Sequence, residues 1–268
     1  MAAADGPVIE RTGRRTGGRQ YWELLGVLTV TLVTARYRRS ILGFFWSLIV
    51  PLFQIVIVGF VFQAILQQDI PNYTLVFLTA LVPWTLFNDA ALASCAVFLR
   101  FREVVRKIAF PRWMLPLAVV TSSLVHFGLS MVVLFAVFFF VPVYYNPNFL
   151  MLIPLTAILS VLLTGMALAL SVLHTYYQDV EYALTVLIRT LFFITPVMYP
   201  AAQIPEEYRY WMMFNPVATV CEGFRSMLPG YDLPAAEHLV AAAVSSVLML
   251  VIGALIFRRM NPQLPEVM

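Results

Sequence analysis

Charge is the first scarcity in this 268-residue chain: 12% of its residues are Asp, Glu, Lys or Arg, against 61% hydrophobic. Soluble domains carry about a quarter charged residues, so a surface wetted on all sides is excluded. Lysine is rarer still. Lys107 is the single one, and Arg106 precedes it where a phosphate-binding loop needs a glycine to let backbone N–H groups wrap the phosphates. The chain is therefore not expected to hydrolyse ATP. His126, His174 and His238 stand far apart, whereas a metal site needs clustered ligands. Cys95 and Cys221 lie in apolar stretches and read as small buried hydrophobes rather than a disulfide. No Gly-x-Ser-x-Gly, His-Glu-x-x-His or Cys-His pairing is present, so enzyme chemistry and a bound cofactor have little to stand on.

What the chain does have is apolar length. Six long runs, at about 41–66, 75–99, 115–141, 149–173, 184–200 and 238–257, suit helices of about 20 residues that cross a bilayer. The expected fold is an all-α integral membrane protein with six transmembrane helices in a domain spanning 41–260. Residues 1–20 hold Arg11, Arg14, Arg15 and Arg19 with almost nothing apolar to bury, and are expected to be a mobile tail. Between 21 and 40, Tyr21, Leu24, Leu25, Leu28 and Leu32 recur at helical spacing, over an uncharged length too short to span. This is expected to be an interfacial helix, anchored by Tyr21 and Trp22 at one end and by Arg36, Arg38 and Arg39 among headgroups at the other.

Seven arginines precede the first run; Arg100, Arg102, Arg106, Lys107 and Arg112 separate the second from the third; Arg258 and Arg259 follow the sixth. The opposite side collects only Arg209 and Arg225. The positive-inside rule then makes both termini, the 261–268 tail and the 100–113 loop cytoplasmic.

After the fifth run, Pro205-Glu206-Glu207 reads as a helix start with carboxylates in its first turn, and Asn215-Pro216 as a cap with a first-turn proline. Two pieces of about ten to thirteen residues between 201 and 230, too short to span, predict a hairpin on the outer face. It is either re-entrant beside protein or an amphipathic loop on headgroups. No internal repeat is visible, which argues against a carrier built from inverted halves.

Four stretches combine in a specific order. Arg36-Tyr37-Arg38-Arg39-Ser40-Ile41-Leu42-Gly43, with Trp46 and Pro51, opens the first run; Arg106-Lys107-Ile108-Ala109-Phe110-Pro111-Arg112, with Leu115-Pro116-Leu117, opens the third. Tyr177-Gln178-Asp179-Val180 fills the loop before the fifth run, and Thr195-Pro196-Val197-Met198-Tyr199-Pro200 ends it, with Asn215-Pro216 and Glu222-x-x-Arg225 downstream. Over about residues 21–260 this layout resembles the membrane subunits of ABC-2-type exporters of lipid-linked polysaccharides such as O-antigen, teichoic acid and galactan precursors. The resemblance implies a homodimeric permease in a bacterial inner or plasma membrane. Two copies of a separate ATPase, which holds the ATP and Mg, would drive a polyprenyl-pyrophosphate-linked glycan outward; nucleic acid is not an expected partner. A coupling helix is implied at about 101–113 and outer gate helices at about 206–228. The family usually has Arg where Gln178 stands and often an acidic residue where Trp113 stands, which leaves those two contacts open.

A permease without a nucleotide site receives force through its cytoplasmic loops, so Arg106, Lys107, Phe110, Pro111, Arg112, Tyr177 and Asp179 are the coupling residues. Phe110-Pro111 is an apolar knob beside a helix-ending residue. A substrate path is expected along Phe45, Trp46, Phe53, Phe60, Phe192, Phe193 and Tyr199, whose rings suit the C–H faces of sugars or, equally, packing and the interfacial belts. Arg189 and Asp89 are charges inside runs, each a functional residue by default. Arg189 either meets the pyrophosphate or pairs with Asp89 or a carbonyl. Tyr208, Trp211, Phe214, Asn215, Glu222 and Arg225 complete the outer gate. The rival classes are an intramembrane enzyme on polyprenyl-phosphate lipids, for which acidic residues are too scattered, a passive channel, and a permease for another amphiphile. The Ala/Arg-rich, lysine-poor composition favours a galactan precursor over teichoic acid.

Overall fold

The computed structural model of the chain describes residues 18–37, 46–61, 72–107, 110–140 and 147–264. The basic tail, Arg38, Arg39 and Phe45 lie outside these residues, as does the side chain of Trp46. Every regular element among the described residues is helical. The helices are α1 (Gly18–Tyr37), α2 (Trp46–Gly59), α3 (Tyr73–Cys95), α4 (Val97–Arg100), α5 (Arg102–Lys107), α6 (Met114–Phe140), α7 (Leu152–Tyr176), α8 (Asp179–Ile194), α9 (Glu206–Met212), α10 (Pro216–Arg225) and α11 (Ala236–Met260).

Four of these, α3, α6, α7 and α11, are long and apolar enough to cross a membrane. At 1.5 Å per residue the 23 residues of α3 reach about 35 Å, against a hydrocarbon core of about 30 Å. The first and fifth apolar runs give less. Among the described residues α2 has 14 and α8 has 16, short of the roughly 20 that a crossing needs. α8 starts five positions before the expected run and stops at Ile194, because Thr195 precedes Pro196 and is held extended (ψ 136°) by the proline ring. Residues 195–200 are thus a turn rather than the end of a span.

α3 is apolar on every side and sits in the middle, packed by α6, α7, α8 and α10. Its Leu78 and Trp84 share one core with Leu134, Leu159 and Phe224. α7 and α11 lie backbone to backbone. A Cβ placed on Gly165 would stand 2.5 Å from Leu250 N, and one on Gly253 would overlap Gly165 O. Small residues allow such an approach where lipid gives helices no hydrophobic reason to associate. A second core joins α1 to α4, α6 and the end of α11 through Leu25, Leu28, Phe98, Leu115 and Phe257. The stripe Tyr21, Leu24, Leu25, Leu28 and Leu32 is the face of α1 that packs there, while Trp22 points outward.

Candidate functional site

Asn215 opens α10 as its spacing suggests: its side-chain oxygen accepts the Val217 N–H at 3.0 Å, and Pro216 takes the first turn where no donor is needed. α9 is shorter than expected, seven residues, with none buried; Tyr208 and Trp211 face outward. Phe214 closes a ring cluster with Tyr210 and His238, at centroid distances of 5.1–5.3 Å.

α10 is the buried half of the pair, and its two charges point inward. Arg225 is fully buried. Its Nε donates to Val76 O on α3 at 3.1 Å, its Nη2 to Pro196 O and Val197 O at 3.0 Å each, and its Nη1 to Glu222 Oε1. Glu222 Oε1 also accepts the Ala201 N–H. The cause is local: the turn after α8 frees carbonyls with no helical partner, and buried carbonyls need donors. One guanidinium, with five N–H groups in a fixed fork, reaches two of them, Pro196 O and Val197 O, while it also holds Val76 O on α3. Tyr73 adds a hydroxyl bond to Met198 O and Asn215 a contact to Thr195 Oγ1 at 3.4 Å. Burial pushes the Glu222 carboxyl above its ordinary range, while Arg225 and the Ala201 N–H pull it back. Glu222 and Arg225, grouped with the gate in the sequence, are therefore the brace that holds the 195–201 turn between α3 and α10.

At the other end of the bundle, two loops meet. Arg112 Nη1 donates to Asn261 O at 2.8 Å, and Tyr176 Oη to Met260 O at 2.9 Å. Consecutive carbonyls at the end of α11 thus bind the 110–112 loop and the end of α7. Phe110 is half-buried against the second core, and Pro111 is half-buried beside it. Arg106 and Lys107 are exposed on α5, where Lys107 pairs with Glu103 at 3.0 Å. Tyr177 and Asp179 are exposed at the turn into α8.

Asp89 meets Arg36, not Arg189. The Arg36 Nη2–Asp89 Oδ2 distance is 2.5 Å, joining α1 to α3. The alternative pairing of Arg189 with Asp89 is corrected: Arg189 is exposed on α8, and no carboxylate pairs with it among the described residues. Nothing in the spacing of Arg36 and Asp89 signals their contact; the unpaired carboxylate in an apolar run was the only hint. Phe53, Phe60 and Phe193 are exposed, Phe192 packs on Trp84 at 5.4 Å, and Tyr199 donates to Phe193 O at 2.7 Å. Among the described residues no three His, Cys, Asp or Glu side chains gather as metal ligands. Cys95 and Cys221 are free and buried.

Residues 23–228, from α1 past the end of α10, match the model of the ABC-2 type transporter family. The chain belongs to that family. It is a multi-pass membrane protein, as its apolar helices require. Relatives are similar over nearly their whole length. The O-antigen export system permease protein RfbA of Klebsiella pneumoniae is 29% identical over 92% of this chain and 95% of its own. RfbA of Myxococcus xanthus is 28% identical over 92% and 96%. The polysialic acid transport protein KpsM of Escherichia coli is 22% identical over 84% and 89%. The ABC-2 match takes in the α9–α10 pair, the 100–113 loop and the end of α7, so the brace lies inside the shared region, while the end of α11 that holds Arg112 and Tyr176 lies beyond it.

Proposed function

We propose that this ABC-2 chain is the permease subunit of a polysaccharide exporter, working as a homodimer with two copies of a separate ATPase. The observation that carries the reading is the end-to-end likeness to permeases named for O-antigen export. The substrate is a glycan on polyprenyl pyrophosphate, moved from the cytoplasmic to the outer side of a bacterial plasma membrane. The spans in this reading are six, α2 and α8 joining the longer α3, α6, α7 and α11. Both termini and the 100–113 loop face the cytoplasm, since arginines concentrate there.

In this reading the ATPase pushes on α5 and the 110–112 loop. Arg112 and Tyr176, both tied to the end of α11, carry that push into α6, α7 and α11 together. Arg189, an exposed guanidinium on an apolar helix, meets the pyrophosphate as the headgroup crosses, a role for which its planar fork is suited. Exposed Phe53, Phe60 and Phe193 offer ring faces along which sugars slide.

The test is deletion and complementation in the source bacterium. Without the chain, surface polysaccharide should disappear while lipid-linked glycan accumulates inside, and the wild-type chain with its ATPase should restore export. Normal surface glycan in the deletion strain would remove the proposal.

A further inference from the structure

Behind the buried brace lies a cavity of about 420 Å³, between α9, the loop 230–235 and the start of α11. That is within the roughly 300–1,000 Å³ of small-molecule sites. Its wall includes Glu206, Arg209, Tyr210, Glu222, Tyr231 and Asp232. Gly230, with φ of +82°, makes the bend that brings Tyr231 and Asp232 to this wall, a conformation costly for other residues.

Glu222 is only 7% exposed, and what it shows faces this cavity. Its Oε1 takes both the Ala201 N–H and Arg225, leaving Oε2 with no partner among the described residues. A carboxylate oxygen open at a cavity wall is a strong acceptor for O–H and N–H donors. The charge balance selects the donor. Three carboxylates line the space, and Arg209, itself paired with Glu206 at 3.0 Å, is the only Lys or Arg among the lining residues. Phosphate, sulfate or an acidic sugar would meet like charge here. A metal ion is disfavoured as well, since these carboxylates do not converge as ligands. A neutral hydroxyl-rich molecule fits: its O–H groups donate to carboxylates, and the Tyr210 and Tyr231 rings offer flat faces to its C–H groups.

We propose that this cavity is a subsite for a neutral sugar residue, engaged by the glycan on the outer side of the membrane. The location rests on the export reading; the sugar chemistry rests on the cavity alone. The full-length chain in lipid nanodiscs would be titrated with neutral trisaccharides of galactose, mannose and glucose, and with a sialic acid trimer, by saturation-transfer NMR. At least one neutral trisaccharide should show saturable transfer, and the sialic acid trimer none. Asp232→Asn and Tyr231→Ala, both outside the brace, should melt like the wild type and bind about tenfold more weakly through loss of a charged acceptor or a ring face. Glu222→Gln tests the open oxygen directly, and if it does not fold the other two variants carry the test. No saturable binding of any neutral sugar, unchanged binding in both variants, or equal binding of the sialic acid trimer overturns the subsite. A wild-type chain that exports glycan but binds no sugar removes the subsite and leaves the export role standing; one that binds but does not export does the reverse.

Discussion

Arg225 on α10 donates from Nε to the main-chain carbonyl of Val76 on α3, 3.1 Å away and 149 positions earlier in the chain. This contact ties the short helix pair to the central helix and makes the hairpin's inner half part of the core. The outer half, α9, has no buried residue and meets the rest of the bundle through the Tyr210 ring, which packs on Phe214 and His238.

Removing that guanidinium should be costly. Arg225→Met strands the Glu222 carboxylate and the Pro196 and Val197 carbonyls, for an expected loss of about 3–5 kcal/mol, the usual cost of breaking a buried pair. Glu222→Gln should cost less, since an amide oxygen still accepts the Ala201 N–H. Thermal unfolding of the purified variants ranks them; an Arg225→Met chain that melts like the wild type contradicts the brace.

The α7–α11 contact depends on two missing side chains. Gly253→Ala and Gly165→Ala each put a methyl group against backbone, which no rotamer change relieves, and should destabilise by about 1–3 kcal/mol or more. Gly26→Ala and Gly128→Ala meet nothing within 4 Å and serve as controls, expected to be neutral or slightly stabilising. Equal melting of all four would show that the helices stand further apart than described.

Coupling is expected to pass through the end of α11. Tyr176→Phe removes a hydrogen bond of about 0.5–1.5 kcal/mol and Arg112→Leu a charged one of about 1.5–3 kcal/mol, each too little to unfold the bundle. Phe110→Ala takes an apolar group from the same loop. In the purified complex, ATPase association or the ratio of hydrolysis to export should fall in each. Wild-type export by all three variants would disprove the assignment.

Arg189 and Arg36 are predicted to behave oppositely. Arg189→Leu should leave folded yield intact, because nothing described pairs with it, while export drops sharply; Arg189→Lys should recover part, keeping charge without the planar fork. Arg36→Leu leaves the Asp89 carboxylate with only the Asn88 amide and should lower folded yield, and Asp89→Asn alongside it should restore that yield. Yield and export measured separately distinguish them, and normal export by a well-folded Arg189→Leu chain eliminates the pyrophosphate role.

Orientation can be read by labelling. Cysteines introduced near Pro205 should react with an impermeant reagent from outside, and those near Lys107 or Arg258 only from the cytoplasm. Cys95 and Cys221 are buried and give little background. The reverse pattern would overturn the arginine count.

Composition and periodicity alone determined that this chain lives in a membrane, is helical and carries no nucleotide loop, because hydropathy, helix spacing and the Asn215-Pro216 cap are written in neighbouring residues. The order of its basic and proline-containing loops was likewise enough to point to the ABC-2 family. Contacts between distant charges were not legible there. That Asp89 belongs to Arg36 and that Arg225 holds Val76, Pro196 and Val197 depend on which helix faces meet. The meeting of Arg112 and Tyr176 at the end of α11, and the cavity left open by Glu222, depend on the same thing. A guanidinium's partners are chosen by where unsatisfied carbonyls come to lie once the helices pack, and only the tertiary structure decides that.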